Sequence, residues 1–180
     1  MLNESLVDLR PIEESDTNNI VRWRNLPSVR RNFETQELLT SEAHLKYLSK
    51  YVKTRKTSQF IIVDTTLQQD IGSIFLKNID NQNKKAEFGI FIGESSARGK
   101  GFGSLAAKSI LEYGFTELKL NRIYLRVFAD NIAGIRSYEN AGFSHEGCFK
   151  QDVIINNQPK DIVFMGVLAD EWIYTKSNSS

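Results

Sequence analysis

The residues most able to do chemistry lie in Arg98-Gly99-Lys100-Gly101-Phe102-Gly103, which holds three glycines in five positions, two cations and no carboxylate. Glycine lets a backbone take φ > 0 and approach a ligand closely. If such a turn opens a helix, it aims several unpaired N–H groups and the positive end of the helix dipole at one point, which suits a phosphate. A tight strand-to-helix turn that binds nothing has the same glycines; the two cations favour an anion site. Neither of two named phosphate motifs is met. No G-x-x-x-x-G-K-[ST] run occurs, and Gly99, Gly101 and Gly103 are spaced differently from G-x-G-x-x-G. A second group, Trp23-Arg24-Asn25 with Arg22, Arg30 and Arg31, sets four arginines beside an aromatic ring. As function, an arginine fork and an indole plane suit a substrate with anionic groups or a planar ring. The alternative is helix-end charge in solvent with Trp23 in the core.

The elements that must position these groups follow from periodicity. Ala86, Phe88, Ile90 and Ile92 are apolar at every second position, a strand with one face buried, and Glu87, Gly89 and Phe91 share the other face. Beyond the glycine turn, Ala107, Leu111, Phe115 and Leu118 mark the inner stripe of a helix beginning near Phe102. A strand over Arg122 to Phe128 follows, and a strand, helix, strand crossover is normally right-handed and parallel. Asp130-Asn131 caps a helix from Ile132 to Asn140 that Gly142 ends. Leu6 to Arg10 reads as a first strand, and Asp16 as the cap of a helix holding Ile20, Val21 and Trp23. A helix over Ser41 to Tyr51 turns Ala43 and Tyr47 inward, with Leu48 and Tyr51 as further candidates. Ser58 to Val63 and Ile71 to Ile79 form antiparallel strands joined at Gln68-Gln69-Asp70, and Phe143 to Ile155 with Asp161 to Leu168 a closing hairpin.

At 180 residues, 41% hydrophobic and 25% charged, the chain fits one domain over residues 1–174 with a disordered polar tail over 175–180. Its net charge of +1 argues against a broad nucleic-acid or membrane surface. The start MLNESLVDLR lacks a signal layout and no apolar run nears membrane-helix length, so a cytoplasmic protein is expected. Single Cys148 excludes an internal disulfide, and His44 and His145, without ligand-spaced neighbours, give no metal site.

Arg98 to Gly103 matches R/Q-x-x-G-x-G/A, and Asn131 to Phe143 resembles N-x-x-A-I-x-x-Y-x-x-x-G-F, with Gly134 and Ser137 where alanine and leucine are usual. Both resemble signatures of the GNAT superfamily of N-acetyltransferases. The resemblance is specific over Ala86 to Phe143, and the start LRPIEESD points to the branch of ribosomal-protein N-terminal, spermidine and amino-sugar acetyltransferases.

The resemblance implies an α/β (α+β) fold: a mixed, mostly antiparallel sheet of about seven strands, a splayed parallel pair in the middle and about four flanking helices. It implies acetyl-CoA as co-substrate, with Arg98, Gly99, Lys100, Gly101, Phe102 and Gly103 at its diphosphate and Phe91, Ile92 and Asn131 at its pantetheine arm. Tyr138 stands at the family's tyrosine and would protonate the leaving thiolate; Glu87 would be the base, with Glu146 or water as other candidates. A base matters if the acceptor is an alkyl amine, since a pKa near 10.4 costs roughly 4.6 kcal/mol to deprotonate at pH 7. The two early helices would hold the acceptor through Trp23, Arg24, Asn25 and Arg30. The expected function is direct acetyl transfer to a primary amine of a small molecule, such as an amino sugar or polyamine, by a monomer or homodimer. The alternatives are a protein N-terminal acetyltransferase with a peptide acceptor, and a non-catalytic acyl-CoA-binding module.

Overall fold

The computed structural model describes residues 6–177. In chain order it runs β1 (Val7–Pro11), α1 (Thr17–Asn25), the single turn α2 (Pro27–Arg30), α3 (Ser41–Tyr47), β2 (Ser58–Asp64), β3 (Gln69–Asp80) and β4 (Lys85–Ile92). There follow α4 (Phe102–Thr116), β5 (Arg122–Phe128), α5 (Ile132–Ala141), β6 (Ser144–Ile155), β7 (Gln158–Leu168) and α6 (Ala169–Ser177). The strands form one sheet in the order β1-β2-β3-β4-β5-β7-β6. All neighbours are antiparallel except β4 and β5.

That parallel pair holds for three residues only, Lys85↔Arg122, Ala86↔Ile123 and Glu87↔Tyr124. Beyond Glu87 the two strands part while their outer neighbours stay paired, β3 with β4 to Ile92 and β7 with β5 to Phe128. A ladder broken in mid-sheet leaves strand backbone facing a gap, which must be filled by other polar groups.

Each face of the sheet carries its own core. The period-two residues Ala86 and Phe88 pack with Leu105, Ala106, Ile110 and Leu111 of α4 and with Ile123 and Met165. On the opposite face Phe91 joins Ile20 and Trp23 of α1, Val29 of α2 and Ile61 of β2. α4 buries more than its expected stripe, since Phe102, Leu105, Ala106, Ile110 and Gly114 are covered as well as Ala107, Leu111 and Phe115.

Several expected elements shift. α3 runs into a π-helical turn over Leu48–Val52 and turns His44 and Leu48 inward, while Ala43 is exposed. The turn between β2 and β3 is residues 65–68 rather than 68–70, because Asp64 Oδ1 accepts from the Thr66 and Leu67 N–H groups and Gln68 takes φ 51°. Asp16 does precede α1, but its carboxylate takes the Arg10 guanidinium and the Glu13 N–H in place of a helix-end N–H. Residues 175–177 of the expected disordered tail belong to α6, and residues 178–180 lie outside the described residues. Six α-helical segments occur among the described residues where about four were expected, α2 being one turn and α6 closing the chain.

Candidate active site

The parted ends of β4 and β5 open into a cavity of about 1080 Å³. Its floor is β4 from Glu87 to Ile92; Leu125 to Val127 form one wall, Ser28, Val29 and residues 31–35 another, and the start of α4 with the inner side of α5 the far end. Among the residues singled out by sequence, Glu87, Phe91, Ile92, Arg98, Gly99, Gly101, Phe102, Gly103, Asn131 and Tyr138 all line it.

At the far end the backbone takes the conformation that the glycines allow. Gly99 has φ 73° and Gly101 φ 85°, a left-handed N-cap for α4, and no side chain caps the helix. The first-turn N–H groups therefore remain for a ligand, with the helix dipole behind them. Gly103 has ordinary helical geometry, and its glycine identity has a packing cause: a Cβ there would come 3.2 Å from Ser137 Oγ of α5. The two helices are joined at that point, since Ser104 Oγ lies 3.1 Å from both the Ser137 carbonyl and its hydroxyl. Serine in place of the usual leucine at 137 thus serves a close helix contact.

Arg98 does not offer its charge to the glycine turn. Its Nε donates to the Ile92 carbonyl (3.0 Å), Nη2 to the Gly93 carbonyl (2.9 Å) and Nη1 to Ser28 Oγ (2.8 Å). The guanidinium closes the end of β4 and ties it to α2, and it consumes the Ile92 carbonyl. Lys100 is exposed and stands off the cavity wall. An anion at this end would therefore be held by main-chain N–H groups and the dipole, with Arg136 of α5 also on the lining.

Tyr138 packs between Phe88, edge-on at 5.6 Å, and Phe143 at 6.2 Å. Its hydroxyl makes no hydrogen bond to a described residue, and desolvation pushes its pKa up to about 12. Glu87 lies on the opposite face of β4, held by Lys77 Nζ (3.0 Å) and Asn78 Nδ2 (3.0 Å). Asn131 caps α5, its Oδ1 accepting from the Gly134 N–H at 3.1 Å. A Cβ at Gly134 would meet Asn131 Nδ2 at 2.6 Å, which accounts for glycine where alanine is usual. Glu146, the other carboxylate considered as a base, is away from the cavity in a bidentate pair with Arg122, whose hydrogen bonds hold its pKa below the ordinary carboxylate value.

Trp23, Arg24, Asn25 and Arg30 are absent from the lining. Trp23 is fully buried, edge-on to Phe91 at 6.5 Å, with Nε1 donating to Glu94 Oε1 at 2.7 Å. Arg24 stacks on Phe33 at 3.4 Å from the ring centre, and Asn25 bonds both backbone groups of Leu39. The lining instead takes Arg31, Phe33 and Glu34 from the segment that follows. Arg126 of β5 lines it too, paired with Glu34 (3.3 Å) and Asp152 (2.8 Å). Periodicity could have signalled Arg126, a charge set among the apolar residues of a central strand. Nothing local marks Phe33 or Glu34, which lie in an irregular segment.

A helix N-terminus bared for an anion beside a split parallel strand pair, with a phenol on one side and a carboxylate on the other, makes a site able to hold an anionic ligand and to exchange protons with it. The acetyltransferase (GNAT) domain family matches residues 7–144. The chain belongs to the GNAT acetyltransferases, and is an acetyl-CoA-dependent N-acetyltransferase.

Its relatives include the spermidine N(1)-acetyltransferase of Escherichia coli, 30% identical over 169 residues, covering 93% of this chain and 88% of that protein. The spermidine N-acetyltransferase of Vibrio cholerae in complex with CoA and spermine has a TM-score of 0.87 at 27% identity, over 94% of this chain and 99% of that one. The same Vibrio enzyme has a dodecameric structure in an intermediate state, which superposes with a TM-score of 0.81 at 26% identity, over 95% of this chain and 98% of that one. A dodecamer departs from the monomer or homodimer expected here. Among the described residues no helix is long and apolar enough to cross a membrane.

Proposed function

We propose that the acetyl acceptor is a primary amine of a polyamine, carried by the observation that relatives matching nearly the full chain are spermidine acetyltransferases; the carboxylates Glu34 and Glu87 on the cavity lining, away from the glycine turn, support it. In this reading Gly99 to Gly103 and the start of α4 hold the diphosphate, and the β4 backbone near Phe91 and Ile92 meets the pantetheine arm. Asn131 borders the same arm while capping α5. Arg98 contributes by holding the end of β4, and Lys100 by long-range attraction alone.

Glu87 draws the proton from the amine, directly or through water, as the nitrogen attacks the thioester carbonyl. Tyr138 donates to the departing sulfur. A phenol near 12 stays protonated throughout the working pH range, and the desolvation that raises it raises a thiolate formed beside it too, so the proton moves only as charge builds on sulfur.

A second reading has its own support. Glu34 is paired with Arg126 and Glu87 with Lys77, so the lining is not freely acidic, and Arg31 adds a further cation. Those cations suit an amino sugar carrying anionic groups. Release of free thiol from acetyl-CoA, measured with spermidine, spermine, a nucleotide-linked amino sugar and an N-terminal peptide, separates the readings. Turnover on the sugar or the peptide with none on the polyamines overturns the polyamine assignment.

Higher-order assembly belongs to the same proposal in place of a monomer or homodimer. It is supported by the dodecameric relative and by the edge strand β6, which leaves Phe149 56% and Ile154 73% exposed. Light scattering at micromolar concentration gives the test; a mass of one or two chains overturns it.

A further inference from the structure

The wall of the cavity formed by residues 31–35 lies in a segment without regular structure, yet α1 grips that segment at two places from adjacent residues. Asn25 Nδ2 donates to the Leu39 carbonyl (2.9 Å) and Oδ1 accepts from the Leu39 N–H (2.8 Å), so one side chain replaces a strand partner. Arg24 lies flat on the Phe33 ring at 3.4 Å, and the ring in turn stands edge-on to Phe91 of β4 at 5.9 Å. Within the segment Gln36 Nε2 donates to the Arg30 (3.1 Å) and Phe33 carbonyls, which fixes its bend.

The Arg24 guanidinium is costly where it stands. Its Nη1 is buried without a hydrogen-bond partner, and desolvation lowers its pKa to about 10. A half-buried cation with no carboxylate partner among the described residues is a poor device for stability, since an apolar side chain of similar volume serves at least as well. What the planar cation supplies and an apolar chain does not is a directional stack on Phe33.

We propose that Arg24 and Asn25 are positioning residues that set the affinity for the acceptor without touching it, by holding Phe33 and Glu34 at the cavity wall. The proposal rests on the reading that the acceptor enters at the Glu34 and Glu87 end. It assigns to these two residues a mechanical role, where direct substrate contact was expected from their types.

The test uses the full chain and the acceptor that proves active in the panel above. Arg24→Met keeps the volume and removes the stack. We expect a melting temperature equal to or above that of the unaltered protein, a KM for acetyl-CoA within about twofold, and a KM for the acceptor raised about tenfold or more, the scale of a misplaced wall. Arg24→Lys, with a point charge for a plane, should fall between. Phe33→Ala, which also removes a lining ring and its contact with Phe91, should raise the acceptor KM at least as much, and the double variant should be no worse than Phe33→Ala alone, because the stack is gone once either partner is. An unchanged acceptor KM in Arg24→Met, equal rises for both substrates, or additive effects in the double variant would overturn the proposal. Failure of every polyamine in the unaltered enzyme instead removes the polyamine reading, and the loop variants are then scored on the acceptor that is turned over.

Discussion

The Tyr138 ring meets Phe88 edge-on, centroids 5.6 Å apart and planes at 80°, so the phenol is fixed by packing while its hydroxyl is left without a partner among the described residues. Tyr138→Phe therefore removes no structural hydrogen bond. We expect unchanged stability and acetyl-CoA affinity by calorimetry, with turnover down on the order of 10²-fold. Unchanged turnover would take Tyr138 out of the mechanism.

Gly101→Asp separates folding from binding. The left-handed φ of 85° costs an Asp side chain about 1–2 kcal/mol, and side-chain capping does not offset it, because a cap residue reaches the first-turn N–H groups from an extended backbone. The melting temperature should fall by only a few degrees, whereas acetyl-CoA binding should be lost outright, since a negative side chain then stands at the position of the anion. Normal binding in calorimetry places the diphosphate elsewhere.

His44 gives stability a pH dependence. It is buried, with Nδ1 3.0 Å from Thr17 Oγ1 and Nε2 unpartnered; desolvation depresses its pKa below 6.5, offset in part by Asp16. Below pH 6.5 the unfolded chain binds a proton there that the folded chain resists, so stability is full above that value and declines as pH falls below it. Asp16, whose pKa is also lowered, titrates below 3.8 and does not contribute in this window. Melting temperature should drop from pH 7 to pH 5, and His44→Gln should flatten that slope. An equal slope in the variant assigns the loss to other groups.

Trp23 and Gly93 are expected to matter for folding and not for acceptor choice. A Cβ on Gly93 would come 2.1 Å from the Trp23 ring, so Gly93→Ala should destabilise by about 1–3 kcal/mol, the range for overpacking. Trp23→Phe should lower the melting temperature while leaving the acceptor KM unchanged. A raised KM at full stability would return Trp23 to the substrate.

How far the sequence could be read depended on range. The Arg98 to Gly103 turn, the Asn131 cap and the left-handed Gly142 are each set by neighbours a few residues away, and they occur where expected; the alternation in β4 holds for Ala86 and Phe88 but gives way where Phe91 is buried on the other face and Ile90 and Ile92 are partly exposed. His44 carries no apolar signal, and the spacing of Ala43 to Tyr47 marks the neighbouring stripe as inward, yet α3 turns His44 to the core and leaves Ala43 exposed.

By itself the sequence determined the family, through the Arg98 to Gly103 and Asn131 to Phe143 motifs that resemble GNAT signatures, and the local geometry of those motifs, because backbone conformation at glycines and the periods of strand and helix are local properties. Tertiary structure alone decided what the charged side chains do. Arg98 turned back to the carbonyls of Ile92 and Gly93, Glu146 was taken by Arg122, and Arg24 went beneath Phe33. A long side chain settles on whichever partner the fold brings within about 3 Å, and that partner can be remote in the chain, as Ser28 is from Arg98 and Arg122 from Glu146. The cavity itself exists because β4 and β5 stop pairing after Glu87, a mismatch between strands separated by a whole helix that neither strand records on its own.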